Sequence, residues 1–163
     1  MKNKLKILSL EVLENLTKKG LTISTAESCT GGLIAQYITS NSGSSDVFLG
    51  GFVTYSNISK IKLIGVDKNT LKDFGAVSKN TVLEMCQGAQ IKLNSDISIA
   101  VSGIAGPNGG TDEKPVGLVH HGLFSKRNIN KHIKHIYKGN REKIRYQTVE
   151  TCFKMILKEV DNY

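Results

Sequence analysis

Residues 24–32, Ser-Thr-Ala-Glu-Ser-Cys-Thr-Gly-Gly, constrain the fold of this chain more than any other stretch. An apolar run at 21–23 leads into the segment, and a helical pattern from Leu33 leads out of it. The segment therefore predicts a turn from a strand into a helix, a unit of layered α/β folds. It also places a carboxylate, two hydroxyls, a thiol and two glycines within six residues, beside the free N–H groups of a helix start.

Two interpretations of this turn are open from its residues alone. In the first, it is an active-site turn whose nucleophile is Ser28. In the second, it is a helix N-cap with two glycines that permit close packing. Cys29, which follows Ser28, is a rival nucleophile that would need a partner to stabilise its thiolate.

The rest of the chain alternates helical and strand patterns. Amphipathic or capped patterns predict helices at 3–19, 30–39, 58–64, 70–74, 79–93 and 141–160. Apolar, β-branched runs predict strands at 21–25, 47–55, 96–102, 116–124 and 129–137, the last two joined as a hairpin around 125–128. This order favours one α/β/α domain of three layers over residues 1–163, with a mixed sheet covered by helices on both faces.

Composition restricts the functional classes. The length of 163 residues fits one domain, and the 39% apolar content is typical of a globular protein. No apolar stretch reaches the roughly 18 residues of a membrane helix, and no secretory leader pattern follows the basic N-terminus. Three widely spaced cysteines favour reduced thiols. We therefore expect a cytoplasmic protein with no membrane partner.

The net charge of +8 is concentrated in one segment. Residues 126–145 contain eight Lys or Arg and a single acid, Glu142. Few aromatic side chains interrupt the segment, so a nucleic-acid platform based on base stacking is not favoured. Arg141 and Arg145 lie one helical turn apart at the start of the last predicted helix. That spacing suits either a phosphate ligand or a solvent-facing surface of salt bridges.

Three loops with unusual chemistry follow predicted strands, at 26–32, 54–60 and 102–111. Ligands of α/β proteins bind beyond the carboxyl ends of strands, so the three loops are expected to share one site. The third loop offers glycine N–H groups that can approach an anion, among them those of Gly103 and Gly106. It matches neither of the standard phosphate-binding glycine motifs, and a wide irregular turn is the alternative interpretation.

A serine hydroxyl needs a base before it becomes a good nucleophile. All four histidines lie outside the three loops and no Gly-x-Ser-x-Gly elbow is present, so a serine–histidine pair has little support. Lys60 lies in the first turn of a predicted helix, where the helix dipole and burial would lower its pKa. Lys60 is therefore the candidate base, and Tyr55 could relay the proton or orient Ser28. The alternatives are a solvated helix lysine and a tyrosine that packs at a strand end.

Metal ligation has little support in the sequence. His132 and His135 point in opposite directions if their segment is a strand. Asp112 and Glu113 have no histidine near them in the sequence. We therefore expect no metal and no cofactor.

Six motifs along the chain together resemble a known family. They are Thr-Ala-Glu-Ser-Cys-Thr-Gly-Gly at 25–32, Ser-Gly-Ser-Ser at 42–45, Gly-Phe-Val-Thr-Tyr-Ser-Asn at 51–57 with Lys60, Gly-Ala-Val-Ser at 75–78, Ser-Gly-Ile-Ala-Gly-Pro-Asn-Gly-Gly at 102–110, and Lys-Pro-Val-Gly at 114–117. In this order they closely resemble the CinA C-terminal domain family, which contains the nicotinamide mononucleotide (NMN) deamidases of the PncC type. Larger CinA proteins carry an additional N-terminal domain, so this chain resembles the stand-alone form.

The resemblance implies that the carboxamide of NMN is hydrolysed to nicotinate mononucleotide and ammonia, within pyridine-nucleotide recycling. It also implies a serine–lysine mechanism with Ser28, Lys60 and an assisting Tyr55. The residues expected to bind substrate are Glu27, Thr30, Gly31, Gly32, Ser102, Gly103, Gly106 and Arg141. Among them, N–H groups near 30–32 are expected to stabilise the oxyanion. The 103–110 loop and Arg141 are expected to hold the phosphate and ribose.

One family motif departs from its usual form. The family's Gly-Asp-Arg before the last helix appears here as Gly139-Asn140-Arg141, which keeps the arginine and removes a carboxylate. Two rival functions stay open: a non-catalytic nucleotide-binding or competence-linked regulatory module, and an amidase for another small amide. Because small layered enzymes often build their sites near subunit interfaces, we also expect a homo-oligomer.

Overall fold

The computed structural model of the chain describes residues 1–127 and 129–163. Within them there are six α-helices: α1 (Lys2–Lys19), α2 (Leu33–Thr39), α3 (Asn57–Ile64), α4 (Lys68–Phe74), α5 (Lys79–Leu93) and α6 (Arg141–Val160). The strands are β1 (Ile23–Glu27), β2 (Phe48–Val53), β3 (Ile97–Gly103), β4 (Leu118–Ser125) and β5 (Ile129–Ile136). None of these helices is both long and apolar enough to cross a bilayer.

The strands form one mixed sheet in the order β2-β1-β3-β4-β5. β1 runs parallel to both β2 and β3, whereas β4 and β5 extend the sheet as an antiparallel hairpin. In this register Glu27, Val53 and Val101 are neighbours near the carboxyl ends of the three parallel strands. The loops that follow these strands therefore leave the sheet at the same edge, where α/β proteins bind ligands.

Helices cover both faces of the sheet, which confirms the predicted three-layer architecture. On one face α1, α2 and α6 pack into a core that includes Leu16, Ile34 and Phe153, each completely buried. On the other face α3, α4 and α5 pack Ile64 and Met85 against the sheet. The sheet is thus shielded from water except at its edges and at the loops that leave it.

Several element boundaries differ from the prediction. β1 continues to Glu27, so the first half of the 24–32 segment is strand and not turn. α2 begins at Leu33 and not at residue 30, because Gly31 and Gly32 adopt φ values of 60° and 92° that no right-handed helix accepts. Of the hairpin loop predicted at 125–128, Asn128 lies outside the described residues.

Candidate active site

The carboxyl ends of β1 and β2 bring Ser28 and Lys60 together. Ser28 directly follows β1, and its N–H donates to the carbonyl oxygen of Val101 on β3 at 3.1 Å. Lys60 extends from the start of α3, and its Nζ lies 3.1 Å from Ser28 Oγ. The same Nζ donates to the carbonyl oxygen of Thr54 at 2.7 Å. The lysine expected to act as base therefore contacts the expected nucleophile directly.

The position of Lys60 depends on how α3 begins. Ser56 is the N-cap: its Oγ accepts the N–H of Ser59, and the Ser59 Oγ accepts the N–H of Ser56, each at 3.1 Å. This reciprocal pair satisfies N–H groups that a helix start otherwise leaves free. The cap makes Asn57 the first helical residue, which turns Lys60 inward beneath Thr54.

The surroundings of Lys60 favour its neutral form. The residue is only 1% exposed, and its two hydrogen-bond partners, the Thr54 carbonyl and the Ser28 hydroxyl, are uncharged. Burial removes the hydration of an ammonium group and lowers the pKa of Lys60 to about 8. A neutral amine at this position can accept the proton of the Ser28 hydroxyl across the same 3.1 Å contact.

Cys29, the rival nucleophile, has the opposite electrostatic environment. Its side chain is buried, and burial raises the pKa of the thiol to about 12. A thiol with that pKa carries almost no thiolate at neutral pH, and the thiolate is the reactive form. The structure therefore favours Ser28 over Cys29 as the nucleophile of this turn.

The Ser28–Lys60 pair opens into a cavity of about 220 Å³. Its wall includes six of the residues predicted for the site: Ser28, Tyr55, Lys60, Ser102, Gly103 and Arg141. The wall also contains Ala76, Val77 and Ala105, none of which is a predicted site residue. Ala76 is tied to the site because its carbonyl accepts the Ser102 hydroxyl at 2.7 Å. The Gly-Ala-Val-Ser motif at 75–78 contains Ala76 and Val77, so it was the sequence signal from which these two site residues could have been predicted.

Glu27 is not placed to bind substrate, contrary to the prediction. It is 1% exposed. Its Oε2 accepts the N–H of Ile34 at 3.0 Å and its Oε1 accepts the N–H of Ala35 at 2.9 Å. Both oxygens therefore hold the start of α2, where a negative charge also meets the positive end of the helix dipole. Glu27 anchors the turn that carries Ser28.

Two other residues of the turn have internal partners. The Gly31 N–H donates to the Ser28 carbonyl at 3.0 Å, so it closes the turn and is not free for an oxyanion. The Thr30 carbonyl accepts from Arg145 Nη2 at 2.6 Å. Thr30 is completely buried. Like Gly32 and Gly106, Thr30 and Gly31 are absent from the cavity wall in the described part of the chain.

Arg141 and Arg145 do not act as a pair, because they point to different partners. Arg141 donates from Nη1 to the Gly106 carbonyl and from Nη2 to the Tyr55 hydroxyl, each at 2.9 Å. Both acceptors are uncharged, so these two hydrogen bonds do not neutralise the positive charge of the guanidinium at the cavity wall. Arg145 instead holds the carbonyl of Thr30. Gly106 thus contributes to the site as the acceptor that orients Arg141.

Tyr55 lies on the cavity wall but its hydroxyl faces Arg141. Among the described residues it forms no hydrogen bond with Ser28 or Lys60, which contact each other directly. The assisting role of Tyr55 in proton transfer stays a prediction. The contact that the structure does show is the one that fixes the guanidinium of Arg141.

The histidines lie elsewhere, on β4 and β5. His120 Nδ1 is 2.9 Å from His132 Nε2, and His121 Nε2 is 3.1 Å from the Tyr137 hydroxyl. None of the four histidines is on the wall of the cavity as described. Residues 1–127 and 129–163 also contain no group of three or more His, Cys, Asp or Glu side chains arranged to hold a metal ion.

Comparisons with known proteins agree with this architecture. Residues 5–160 match the model of the CinA C-terminal domain. A CinA-like protein of Kosmotoga olearia is 55% identical over 115 residues, which is 70% of this chain and 28% of that protein. A CinA-like protein of Shewanella pealeana is 45% identical over 155 residues, 95% of this chain and 37% of that protein. The chain therefore spans less than two fifths of these relatives.

A solved structure has the same fold over nearly its whole length. The competence/damage inducible protein CihA from Agrobacterium tumefaciens superposes with a TM-score of 0.93 at 44% sequence identity. The match covers 96% of this chain and 95% of that one, so all layers of the fold are shared. This chain belongs to the CinA C-terminal domain family.

Proposed function

We propose that this chain is an amidohydrolase that converts the carboxamide of NMN to nicotinate mononucleotide and ammonia. The observation that carries the proposal is the buried contact of 3.1 Å between Ser28 Oγ and Lys60 Nζ, with the pKa of Lys60 lowered to about 8. The names of these relatives, CinA-like protein and competence/damage inducible protein, state no reaction, so the reaction is inferred from the site and from the family resemblance of its motifs.

The reaction begins when neutral Lys60 takes the proton of the Ser28 hydroxyl. Ser28 Oγ attacks the amide carbon, and the carbonyl oxygen becomes an oxyanion. We assign the N–H of Cys29, which follows the nucleophile on the cavity wall, as a donor to that oxyanion; one such donor is typically worth about 3–4 kcal/mol. The Thr54 carbonyl holds the Lys60 amine in place throughout.

The second half of the reaction returns the site to its starting state. Protonated Lys60 gives its proton to the leaving nitrogen, which departs as ammonia. Neutral Lys60 then takes a proton from water, the resulting hydroxide attacks the acyl carbon, and Ser28 leaves with a proton from Lys60. Each proton that Lys60 accepts is therefore returned, and the net reaction consumes one water.

Arg141 suits the phosphate of a mononucleotide. Its guanidinium lies on the cavity wall with two uncharged acceptors and no carboxylate among the hydrogen bonds described for it. It is also the first residue of α6, where the helix dipole favours an anion. Arginine binds phosphate through parallel N–H groups. A substrate with its amide at Ser28 and its phosphate at Arg141 would therefore be held at both ends.

The test is an assay of ammonia release from NMN. Nicotinamide and glutamine are assayed separately as alternative amide substrates. We expect Ser28→Ala and Lys60→Met to lower turnover at least about a thousandfold, because each removes one member of the nucleophile–base pair. Cys29→Ala should retain turnover, because the thiol is protonated. Full activity of Ser28→Ala would overturn the proposal. Binding of NMN without ammonia release from the unaltered protein would favour the non-catalytic module instead.

A further inference from the structure

A second cavity lies next to the candidate active site and has a different lining. Its volume is about 280 Å³, and Val77 is on the walls of both cavities. Three lysines from separate parts of the chain line it: Lys79 begins α5, Lys114 precedes β4 and Lys134 lies on β5. The reaction proposed above uses none of these three side chains. We call this second cavity the lysine cavity.

The three lysines converge on one pair of histidines. His120 on β4 lies directly opposite Lys134 on β5, and its ring stacks on that of His132. Burial lowers the pKa of His120 to about 4, and the positive charges of Lys134 and Lys114 add to this effect. Burial also lowers the pKa of His132, with contributions from Lys79 and Lys134. The fold therefore gathers three positive charges around the same two rings.

The protein itself does little to neutralise these charges. In the part of the chain that the structure describes, none of the three lysines forms an ion pair with a carboxylate. Lys114 Nζ donates to the Phe74 carbonyl at 2.8 Å, and that acceptor is uncharged. Glu113 is the one acid that the described residues place on the wall. Because neighbouring positive charges repel each other, an anion in the lysine cavity would relieve that repulsion.

The charge and lining of the lysine cavity indicate the class of ligand. Three ammonium groups against one carboxylate, with His120 neutral, leave an excess charge of +2. Lysine is a common ligand of phosphate, which it binds as a point charge. The wall also carries the side chains of Phe74 and Ile136, 48% and 58% exposed, against which a sugar or a flat ring can lie. Small-molecule sites usually combine an apolar lining with a few polar groups of this kind.

We propose that the lysine cavity binds a diphosphate group, either free or as part of a nucleotide. Lys79, Lys114 and Lys134 surround the phosphate oxygens, and the base of a nucleotide lies against Phe74. This site is separate from Arg141, which we assign to the phosphate of the substrate, and it does not depend on the proposed reaction. A single-stranded nucleic acid fits less well, because it needs cations and stacking aromatic rings in a row along its backbone.

The first experiment measures pyrophosphate binding by titration calorimetry, at about 50 mM salt to limit screening. The variant Lys79→Met/Lys134→Met keeps the aliphatic stems and should weaken binding at least about tenfold, because two charge-assisted hydrogen bonds are lost. The matched control Lys62→Met/Lys72→Met removes the same charge from exposed positions outside the cavity and should change the affinity less than about twofold. Absence of binding to the unaltered protein, or equal losses in the two variants, would overturn the proposal.

Arg141→Met separates the lysine cavity from the candidate active site. It should leave the pyrophosphate affinity nearly unchanged, because Arg141 lines only the other cavity among the described residues. Loss of pyrophosphate binding in Arg141→Met but not in the lysine variant would assign the anion to the candidate active site and refute the proposal. A protein that releases no ammonia from NMN but binds pyrophosphate as expected would refute the proposed reaction alone.

The second experiment uses the unaltered protein and does not rely on any variant folding. Lysines are acetylated with and without pyrophosphate, and the modified positions are quantified by mass spectrometry. Pyrophosphate should slow the acetylation of Lys79 and Lys134 and leave that of Lys62 and Lys72 unchanged, because only the first two lie on the cavity wall. Equal protection of all four lysines would indicate diffuse binding of the anion and would contradict the proposed site.

A comparison of ligands identifies the source of the diphosphate. Adenosine diphosphate that binds more tightly than pyrophosphate, and loses this advantage in Phe74→Ala, would support a nucleotide ligand. Equal affinity for the two compounds would support free diphosphate. A single-stranded oligonucleotide that binds through the lysine pair while neither small compound binds would overturn the proposal in favour of a nucleic-acid surface.

Discussion

At Lys60 the protein places an amine where an ammonium ion is poorly solvated. The Thr54 carbonyl and the Ser28 hydroxyl are its hydrogen-bond partners, and neither carries a charge. Burial therefore lowers the pKa of Lys60 to about 8, compared with an ordinary value of about 10.4 for lysine. Roughly a tenth to a fifth of this lysine is neutral at physiological pH, compared with about a thousandth of an ordinary lysine. That share is what a general base requires.

The first prediction concerns the pH dependence of the proposed reaction. Because only the neutral amine accepts a proton, kcat/KM for NMN should rise about tenfold per pH unit below pH 8 and level off above it. The measurement is a pH–rate profile of ammonia release between pH 6 and about 9.5. A profile that is flat across pH 8, or that falls as pH rises through 8, would exclude Lys60 as the base.

At the scale of elements, the site depends on how α2 is attached to β1. Glu27 ends the strand and binds the N–H groups of Ile34 and Ala35 in the helix. Arg145 of α6 holds the Thr30 carbonyl from the other side. The turn that carries Ser28 is therefore held by both α2 and α6, and the proposed nucleophile need not be ordered by substrate. Preorganisation of this kind reduces the cost of reaching the transition state.

The second prediction separates this anchoring role from substrate binding. Glu27→Ala leaves two buried N–H groups without an acceptor and should lower the free energy of unfolding by about 2–3 kcal/mol. Glu27→Gln keeps an acceptor and should recover part of that loss. Both variants should lower kcat more than they raise KM, because residue 27 does not touch the substrate. Denaturant unfolding and steady-state kinetics provide the measurements. A large rise in KM with unchanged stability would restore the original prediction of a substrate contact.

At the scale of the whole molecule, all four histidines lie on the β4–β5 hairpin, and two of them make its stability sensitive to pH. His120 stacks on His132, and His121 is completely buried beside Tyr137. Burial lowers the pKa of His120 to about 4 and that of His121 to about 3. Both histidines are neutral in the folded protein at pH 7, so their protonation in acid favours the unfolded chain.

The third prediction follows from the sign of these shifts. The unfolded chain binds protons near pH 6.5, whereas the folded chain excludes them until pH 4 to 3. The free energy of unfolding should therefore fall as pH decreases through 6.5, by about 2 kcal/mol for each buried histidine at pH 5. His121→Gln should reduce this slope more than His135→Gln, because His135 is exposed and its removal takes away only one of the influences that lower the pKa of His121. An equal slope in the two variants would contradict the assignment of this pH dependence to His121.

Local chemistry explains which boundaries the sequence predicts well. α5 and α6 begin and end where predicted, at 79–93 and 141–160. Each starts after a residue whose side chain accepts a nearby N–H, Ser78 and Asn140 respectively. Such caps act over three residues and are visible in the sequence. Asn140 caps α6 although the family motif has aspartate there, so the departure leaves the start of the helix intact.

The sequence by itself determined the order of elements, the layered class and the residues rich in chemistry. Periodicity and capping act over a few neighbouring residues, and the motifs that resemble the family can be identified without coordinates. These signals were enough to single out Ser28, Lys60 and Arg141. They were not enough for Glu27, whose carboxylate is equally plausible as a ligand contact or as a helix anchor when only its neighbours in the chain are known.

Only the tertiary structure decided which of these groups meet and which are occupied. Ser28 and Lys60 are 32 positions apart, and their contact of 3.1 Å depends on the parallel pairing of β1 with β2. Arg141 and Arg145 look equivalent in the sequence but turn to different loops. The physical reason is that burial and hydrogen-bond competition depend on groups distant along the chain, and these two effects set the protonation of Lys60 and the partners of Glu27.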